Sequence, residues 1–404
     1  MIQEVKGNVC APRGFTASGI HCGIRANTAK KDLALIYSGK KANTACVYTT
    51  NLVKAAPIAV TKGNLQDGQA QAIICNSGNA NACNANGVEI AHQMCALTGK
   101  ALNIDAKDVV VASTGVIGKE LDIAPIASNM QTLVDALSAD GMSAAQAIMT
   151  TDTLPKEIAV RFELGGKTCT IGGIAKGSGM IHPNMATMLA FLTTDVAISS
   201  AMLSKALSAD VQDTFNMISV DGDTSTNDML CIMANGLAGN AEITEENEDY
   251  ALFARALRQV NAYLAKMIAK DGEGATKLLA CTVTGAPNQE TARIVAKSVI
   301  CSSLVKAAMF GADANWGRIL CAIGYSGAHV DVTKIDVAFQ SEKGTIDVCQ
   351  NGASIPFSEG KAKKILLEKE IDILINLNSG QAKATSWGCD LTYDYVKING
   401  DYRS

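Results

Sequence analysis

The chain has 404 residues, of which 48% are hydrophobic and 18% are charged, and its formal net charge is -4 at pH 7. At about 100–200 residues per domain, this length predicts two or three domains, and the composition suits a compact enzyme with extensive subunit contacts rather than a disordered chain. The small negative charge, without a run of lysine or arginine, argues against nucleic acid or an anionic membrane as the main partner and favours small solutes.

Short apolar runs separated by Gly and Asn predict mainly strands in the first 110 residues. The clearest predicted strands are 45–48, 58–60 and 71–75. Helical patterns follow at 121–137 and 142–149. Residues 157–164 and 168–172 then predict a hairpin that turns on Gly165 and Gly166.

In the second half of the chain, apolar residues at helical spacing predict two core-facing helices, over 203–218 and 253–267. After Thr276, strand and helix signals alternate. They lie at 277–283, 289–299, 335–339, 344–348, 362–368 and 370–375. We therefore expect a mixed α/β or α+β fold, with a boundary near residues 285–287 that separates a catalytic region, 1–285, from a C-terminal domain, 286–404.

Thirteen cysteines are scattered singly without a C-x-x-C pair, which indicates reduced core thiols in a cytosolic protein. The four histidines form no ligand pair, and His182 is interpreted as a structural loop residue. Asp221, Asp223 and Asp228 are rich in oxygen ligands but lack the EF-hand spacing. We expect no metal. The N-terminus lacks the pattern of a secretory signal and no apolar run approaches the roughly 18 residues that span a bilayer, so the expected location is the cytoplasm.

Residues 176–195, KGSGMIHPNMATMLAFLTTD, are the most informative part of the chain. A glycine-rich turn with one lysine leads to Ala186-Thr187, and residues 188–191 predict a buried strand. The Thr187 hydroxyl can attack the carbonyl of its own preceding peptide, and hydrolysis of the resulting ester would leave two chains. The new N-terminal threonine would carry its own base, because an α-amine is largely available near neutral pH.

On the residues alone, one other interpretation of this segment stays open and a second is rejected on its spacing. Thr187 has ordinary β-propensity and can be no more than a strand-edge residue. The Lys176-Gly177-Ser178-Gly179 turn can also be compared with phosphate-binding loops, although it lacks the spacing of the Walker A motif and of the dinucleotide fingerprint.

Six further motifs accompany this segment. They are NSGNAN at 76–81, STG at 113–115, TTDT at 150–153, SVDGDTSTND at 219–228, DGEGAT at 271–276 and GADANWGRI at 311–319. Together with residues 176–195, and in the same order, they resemble the motifs of the ornithine acetyltransferase family of arginine biosynthesis. The resemblance spans nearly the whole chain, and polar runs of this length rarely agree by chance.

The resemblance implies a layered α-β-β-α sandwich around the threonine, followed by a smaller C-terminal α/β domain, with chemistry similar to that of the N-terminal nucleophile hydrolases. It implies self-cleavage between Ala186 and Thr187 into a light chain, 1–186, and a heavy chain, 187–404. Two of each are expected to form a heterotetramer.

Catalytic roles follow from the same resemblance. Thr187 is the expected nucleophile, and Thr114 with Gly115 is the expected oxyanion hole, through a hydroxyl and a backbone N–H. Lys176 would favour the neutral form of the freed α-amine, because a nearby positive charge disfavours a second one.

The family's substrate-contacting positions correspond to Thr150, Lys176, Thr187 and Glu273, with Thr153 as a close alternative to Thr150. Asn399 and the last residue, Ser404, match positions that close the pocket. The sequence therefore predicts that the C-terminus lies near the site.

The implied activity is transfer of acetyl from N2-acetyl-L-ornithine to L-glutamate through an acetyl ester on Thr187, with ping-pong kinetics. No cofactor is expected, although acetyl-CoA is considered as a second acetyl donor. An amidase or aminopeptidase with the same nucleophile is the closest alternative, and a non-catalytic amino-acid-binding protein is the alternative from another class.

Overall fold

A computed structural model of the chain describes residues 1–182 and 188–401. Those residues contain sixteen strands in two sheets, together with eleven α-helices. The strands are β1 (Gln3–Val5), β2 (Phe15–Ile20), β3 (Leu33–Tyr48), β4 (Gln69–Asn76), β5 (Val109–Ser113), β6 (Lys156–Leu164), β7 (Lys167–Lys176), β8 (Leu189–Thr194), β9 (Ile218–Ser219), β10 (Met229–Ala234), β11 (Leu278–Ala286), β12 (Asp336–Ser341), β13 (Gly344–Gln350), β14 (Ala353–Ser354), β15 (Glu370–Asn376) and β16 (Ala382–Cys389). The helices are α1 (Ala56–Asn64), α2 (Gly87–Leu102), α3 (Ala124–Asp135), α4 (Met142–Ala147), α5 (Ser200–Asp210), α6 (Glu248–Lys270), α7 (Gln289–Cys301), α8 (Ser303–Phe310), α9 (Trp316–Gly324), α10 (Glu359–Leu366) and α11 (Tyr393–Gly400).

The first sheet has nine strands in the order β1-β6-β7-β8-β10-β3-β4-β5, and β2 pairs with β3 beside this path. The long strand β3 belongs to both halves of this sheet, since its end pairs with β10 and its start pairs with β4. Its register on β4 shifts between Tyr37 and Ala42. Irregularities of this kind bend a strand, and the two halves of the sheet here face each other across a common core.

Three cores stack to give the layers. The inner core joins the two halves of the sheet and contains Ile73 and Val110 on one side and Ile174 and Phe191 on the other. Helices α1 to α3 cover the outer face of β3, β4 and β5, and helices α5 and α6 cover the outer face of β7, β8 and β10. The predicted α-β-β-α sandwich is thus confirmed.

Strands β8 and β10 lie in the middle of these layers, and all of their residues are buried. In β8, Leu189 and Phe191 face the inner core, whereas Ala190 and Leu192 face the helices. A strand covered on both faces is typically a nearly continuous run of apolar residues, which explains the run at 188–192. The predicted strand at 188–191 is confirmed, beginning one residue later.

The predicted hairpin is also confirmed. Strands β6 and β7 pair in antiparallel register from Lys156↔Ala175 to Leu164↔Lys167. The turn residues Gly165 and Gly166 both have positive φ, 52° and 73°, a conformation that glycine adopts at little cost.

The second sheet has seven strands in the order β14-β13-β12-β15-β11-β16-β9 and, with helices α7 to α10, encloses a separate core. Strand β11 begins at Leu278, so this sheet starts before the predicted boundary at 285–287, and it also recruits β9 from the earlier part of the chain. Helix α6 contacts strands of both sheets, β6 and β7 on one side and β11 and β16 on the other. The limits of the two domains, 1–285 and 286–404, stay a prediction.

The prediction of a strand at 58–60 is wrong, because these residues lie in α1. Pro57 stands in the first turn of this helix, where its missing N–H costs nothing. Ile58, Val60 and Thr61 are buried and Ala59 is exposed, which is the pattern of a helix face. Three apolar residues are too few to separate the two periods. Helix α2, Gly87–Leu102, likewise lies in the part of the chain where mainly strands were predicted.

The predicted helix at 203–218 is correct only as far as Asp210. The Asp210 carboxylate is held by Arg258 Nε at 2.6 Å and by Asn261 Nδ2 at 2.7 Å. The chain then passes through short 3-10 turns, with Thr214 at φ -122° and ψ -95°, into β9. Phe215 and Ile218 keep their apolar environment outside the helix.

All thirteen cysteines are free thiols, and eight of them are buried. In the ranges 1–182 and 188–401, no helix combines the length and the apolarity needed to cross a bilayer. In the same ranges, no group of three His, Cys, Asp or Glu side chains is placed to hold a metal ion.

Candidate active site

A cavity of about 310 Å³ opens at one end of the sandwich, where the loops after β5 and β7 meet the loop before β10. Its volume lies at the lower end of the range for small-molecule sites, about 300–1,000 Å³. The lining residues are Thr114, Gly115, Val116, Ile117, Thr150, Thr151, Lys176, Gly179, Met180, Ser225, Thr226, Asn227, Glu273 and Asn399. We call it the main cavity.

Lys176 ends β7 at the wall of the main cavity and is only 8% exposed. Its Nζ donates a hydrogen bond of 3.0 Å to Thr114 Oγ1. Burial lowers the pKa of this ammonium below its ordinary value, and the carboxylates of Asp152 and Asp228 oppose that shift without cancelling it. Because the Thr114 hydroxyl accepts a hydrogen bond from Lys176, its own proton can be directed elsewhere, for example to an oxygen in the cavity.

Gly115 has φ 128°, a conformation that side chains rarely adopt. A Cβ atom at this position would lie 2.7 Å from the carbonyl carbon of Gly78 and 2.8 Å from the nitrogen of Asn79. Only glycine therefore fits between the cavity and the loop that follows β4. The backbone of Gly115 can approach a ligand closely, as the predicted role in an oxyanion hole requires.

Thr150 and Thr153 have different surroundings, although they are three residues apart. Thr150 lines the main cavity, and its N–H donates to Asp152 Oδ2 at 3.0 Å. Thr153 donates through both its N–H and its hydroxyl to the Asp271 carboxylate, and it lines a different cavity. This arrangement favours Thr150 as the substrate contact, and that role stays a prediction.

Glu273 and Asn399 form another part of the cavity wall. Asn399, in α11, donates to Glu273 Oε2 at 2.8 Å. Glu273 is 8% exposed, and its N–H donates to the Ser178 carbonyl at 3.0 Å. A Cβ atom at Gly179 would collide with the Glu273 carboxylate, so the glycine of the KGSG turn leaves room for it.

A buried ion cluster lies directly behind the cavity wall and was not singled out in the sequence. Lys156 Nζ lies 2.6 Å from Asp152 Oδ1 and 2.6 Å from Asp271 Oδ2, and the Lys156 side chain has no exposed surface. Burial alone would raise the pKa of Asp152, but Lys156, Lys176 and the Gly177 N–H together lower it to about 2. Asp152 is therefore ionised at neutral pH.

The cluster ties together the segments that carry the predicted site residues. Asp152 accepts hydrogen bonds from the N–H groups of Thr150 and Gly177, at 3.0 and 2.7 Å. Asp271 lies two residues before Glu273, and its carbonyl accepts a hydrogen bond of 2.6 Å from Ser178 Oγ. Asp152 and Asp271 both lie inside motifs quoted above, TTDT and DGEGAT, which is the signal that could have identified them.

Asp228 is a second buried carboxyl group beside Lys176. Burial raises its pKa well above the ordinary value, and the charge of Lys176 acts in the opposite direction. Within the described part of the chain, its Oδ2 atom has no hydrogen-bond partner. The pKa of Asp228 is raised and that of Lys176 is lowered, and both shifts favour the neutral form of the buried group.

The loop before β10 also shapes the cavity. Asn227 Nδ2 donates to the carbonyls of Ala80 and Ser113, at 2.5 and 2.8 Å, and so connects this loop with the end of β5. Of the acidic residues in SVDGDTSTND, Asp221 accepts backbone N–H groups and Asp228 is buried beside Lys176.

His182 lies outside the lining of the main cavity. Its Nδ1 atom is 3.2 Å from Ser219 Oγ and 3.4 Å from Cys301 Sγ. Burial, followed by the nearby charge of Lys297, lowers the pKa of His182 to about 4. The imidazole is therefore neutral near pH 7 and packs between β9 and α7, as expected of a structural loop residue.

Three predicted site residues, Ala186, Thr187 and Ser404, lie outside the described residues. The described chain resumes at Met188, which is buried and whose carbonyl accepts a hydrogen bond of 2.9 Å from the Met229 N–H. The residues that flank Thr187 on the C-terminal side are thus anchored between β7 and β10.

A second cavity of about 460 Å³ adjoins the main cavity and shares Gly115, Val116, Thr150 and Thr151 with it. Three basic residues, Arg25, Lys30 and Lys119, contribute to its lining, and none of the described lining residues carries a carboxylate. The Arg25 guanidinium donates to the carbonyls of Ser77 and Met149, and Lys30 Nζ lies 3.4 Å from the Thr150 carbonyl. We call it the basic cavity.

Comparison with known proteins identifies the family of the chain. The sequence profile of the ArgJ family matches residues 16–404. The chain is 52% identical over 405 residues to the arginine biosynthesis bifunctional protein ArgJ of Caldanaerobacter subterraneus subsp. tengcongensis and 51% identical over 406 residues to that of Symbiobacterium thermophilum, with 100% of each chain covered in both cases. The crystal structure of the arginine biosynthesis bifunctional protein ArgJ of Bacillus halodurans matches with a TM-score of 0.50 and 51% identity, over 52% of this chain and 98% of that chain. The chain therefore belongs to the ArgJ family.

Proposed function

We propose that this enzyme transfers the acetyl group of N2-acetyl-L-ornithine to L-glutamate through an acetyl ester on Thr187. The observation that carries this proposal is the convergence of predicted site residues from distant parts of the chain on one cavity of about 310 Å³. These residues are Thr114, Gly115, Thr150, Lys176, Glu273 and Asn399.

Self-cleavage comes first in the proposed sequence. Thr187 Oγ attacks the carbonyl carbon of Ala186, the peptide C–N bond breaks, and the Thr187 nitrogen takes the proton. Water then hydrolyses the ester, which leaves a carboxylate on Ala186 and a free α-amine on Thr187. This amine serves as the base in later turnovers, and the lowered pKa of Lys176 agrees with a site that disfavours additional positive charge.

In the first half-reaction, Thr187 Oγ attacks the acetyl carbonyl, the amide C–N bond of acetylornithine breaks, and ornithine leaves with the proton. In the second, the amine of glutamate attacks the ester, and the Thr187 hydroxyl is restored. The Thr114 hydroxyl and the Gly115 N–H are the donors for the oxyanion of both tetrahedral intermediates. Removing one such donor typically lowers kcat about 10²- to 10³-fold.

Glu273 supplies the negative charge for the δ-ammonium group of ornithine. Its side chain lines the main cavity and is fixed by Asn399. A buried carboxylate with a fixed position binds an ammonium group more strongly than a mobile surface carboxylate does.

We also propose acetyl-CoA as a second acetyl donor. The basic cavity supports this, because it adjoins the main cavity, and its described lining residues include three cationic side chains and no carboxylate. Cationic side chains bind the phosphate groups of such a coenzyme through charge-assisted hydrogen bonds. No bound cofactor takes part in the transfer as proposed.

The assembly and the location complete the proposal. The fragments 1–186 and 187–404 are expected to remain associated as a heterotetramer, two of each, in the cytoplasm. Thirteen free thiols agree with a reducing compartment.

The test is the Thr187→Ala variant, with Thr187→Ser as the matched control that keeps a hydroxyl. Denaturing mass spectrometry should find two fragments that meet at Ala186 and Thr187 in the parent protein and an intact 42.1 kDa chain in the alanine variant. The serine variant should cleave and retain part of the activity. An intact yet fully active parent chain would contradict the proposal.

Assays with and without glutamate separate the remaining alternatives. A transferase releases ornithine from acetylornithine rapidly only when glutamate is present. Equal rates in both assays would favour the amidase or aminopeptidase, and an uncut chain without turnover would favour a binding protein.

A further inference from the structure

Residues 178–182 form the arm that leads from Lys176 toward the proposed cleavage site, and the arm is held at almost every residue. The loop at 219–224 supplies most of the partners. The Val220 N–H donates to the Ile181 carbonyl at 2.7 Å, and Thr224 Oγ1 donates to the His182 carbonyl at 2.9 Å. The direction of the arm is therefore set by this loop.

Among these contacts, Asp221 binds two consecutive backbone amides of the arm with one carboxylate. One carboxylate oxygen accepts the Met180 N–H at 2.6 Å, and the other accepts the Ile181 N–H at 2.9 Å. Hydrogen bonds to an ionised acceptor are roughly twice as strong as neutral ones. Two consecutive amides held by a single carboxylate leave the backbone little freedom to rotate.

The backbone of Met180 has a conformation that its residue type disfavours, and the hydrogen bonds to Asp221 oppose that preference. Its φ is 55°, in the left-handed region that residues with a side chain rarely occupy. Its side chain is 42% exposed, so packing does not account for the conformation. A residue in such a state persists only where its surroundings hold it, and in this arm the Asp221 carboxylate does so.

We propose that Asp221 is a positioning residue for self-cleavage: it sets the path of the arm that delivers the Ala186 carbonyl to the Thr187 hydroxyl. This inference rests on the self-cleavage proposed above and assigns no contact between Asp221 and the reacting atoms. The attack of a side-chain hydroxyl on a neighbouring peptide carbonyl depends on alignment more than on binding, because both reacting groups already belong to one chain.

Tyr395 of α11 is a second neighbour of Asp221. Burial, followed by the negative charges of Asp221 and Glu273, raises the pKa of Tyr395. Tyr395 also hydrogen-bonds to Asp221, and its carbonyl accepts a hydrogen bond from Asn399 in the cavity wall, so a change at Asp221 can affect that wall as well as the arm. The Tyr395→Phe variant separates the two effects, because it leaves both amide contacts of Asp221 in place.

The experiment follows the conversion of full-length chain to fragments after a pulse of cell-free synthesis, on denaturing gels. We expect Asp221→Asn to slow cleavage at least about tenfold. The amide NH2 of asparagine would face one of the two backbone N–H groups without accepting a hydrogen bond from it, and the hydrogen bond to the other N–H would lose its charged acceptor. Asp223→Asn, an exposed carboxylate in the same loop, and Tyr395→Phe should cleave at the parent rate. In Asp221→Asn, the additional change Met180→Gly should restore much of the rate, since glycine adopts positive φ freely.

Three other outcomes would contradict the positioning role, the proposed function or both. Parent-like cleavage of Asp221→Asn would overturn the positioning role while the proposed function stands, whereas failure of the parent chain to cleave would overturn both. Thermal unfolding is compared on the uncut Thr187→Ala background. If Asp221→Asn there lowers Tm well below the Asp223→Asn value and Met180→Gly restores no cleavage, Asp221 contributes to stability alone and the proposal is wrong.

Discussion

Asn399 Nδ2 lies 2.8 Å from Glu273 Oε2, so that the C-terminal helix orients a carboxylate 126 residues earlier in the chain. Glu273 is nearly buried and lines the main cavity. The end of the chain thereby becomes part of the proposed substrate site, although Ser404 itself lies outside the described residues.

The first prediction concerns this pair. Glu273→Gln and Asn399→Ala should each raise KM for acetylornithine, the first by about tenfold or more, because a hydrogen bond to a charged group contributes roughly 1.5–3 kcal/mol. Steady-state kinetics of the two variants and of the double variant measure their coupling, for which we expect about 0.5–3 kcal/mol.

Lys397→Ala is the control, since Lys397 lies on the same helix and lines a different cavity. Its KM should match that of the parent. Additive effects of Glu273→Gln and Asn399→Ala would show that the contact has no role in binding.

The second prediction compares two buried acids of opposite character. Asp152 is ionised and paired with Lys156, so Asp152→Asn should destabilise the protein by roughly 3–5 kcal/mol and lower Tm clearly near neutral pH. Burial raises the pKa of Asp228, so Asp228→Asn removes a group whose charged form is already disfavoured and should change Tm much less.

The direction of each pKa shift gives the sign of the pH dependence of stability. The pKa of Asp152 is lowered from 3.8 to about 2, so its stabilisation is complete above 3.8, and the Tm gap between parent and Asp152→Asn should close as the pH falls toward 2. The pKa of Asp228 is raised, so in the parent it costs stability as the pH rises above 3.8, and Asp228→Asn should gain Tm relative to the parent over that rise. A larger loss for Asp228→Asn than for Asp152→Asn at neutral pH would contradict both assignments.

The third prediction concerns the basic cavity. The double variant Lys30→Gln, Lys119→Gln should raise KM for acetyl-CoA by roughly five- to tenfold, because each exposed charge contributes up to about 1 kcal/mol to binding an anion. The KM for acetylornithine should stay unchanged. Initial rates at low and high salt provide a second readout, since screening should shrink the difference between parent and variant.

Lys62→Gln is the matched control, because Lys62 lines another cavity beside Asp67. Equal rises in the KM of both donors would show that the two lysines act on the main cavity. A parent enzyme without turnover of acetyl-CoA would contradict the second donor and leave the transfer from acetylornithine to glutamate in place.

Much of the local structure could be predicted because it depends on neighbours in the chain. The hairpin of β6 and β7 follows from alternating apolar residues around Gly165-Gly166, and α6 follows from a long apolar stripe. Errors arose where local signals were short or shared by two structures. The run at 58–60 fits either period, and the stripe that begins at Leu203 continues to Ile218 even though the helix ends at Asp210.

The sequence by itself determined the family, through polar motifs in a fixed order, and with it the residues expected at the site. Only the tertiary structure decided the contacts around the site and the direction of the pKa shifts there: Lys156 joins Asp152 to Asp271, burial disfavours the charged forms of Lys176 and Asp228, and Asp221 holds Met180 in a left-handed conformation. The physical reason is that desolvation and hydrogen bonding depend on distances between segments more than a hundred residues apart, as with Lys156 and Asp271, and no local pattern of residue types encodes such distances.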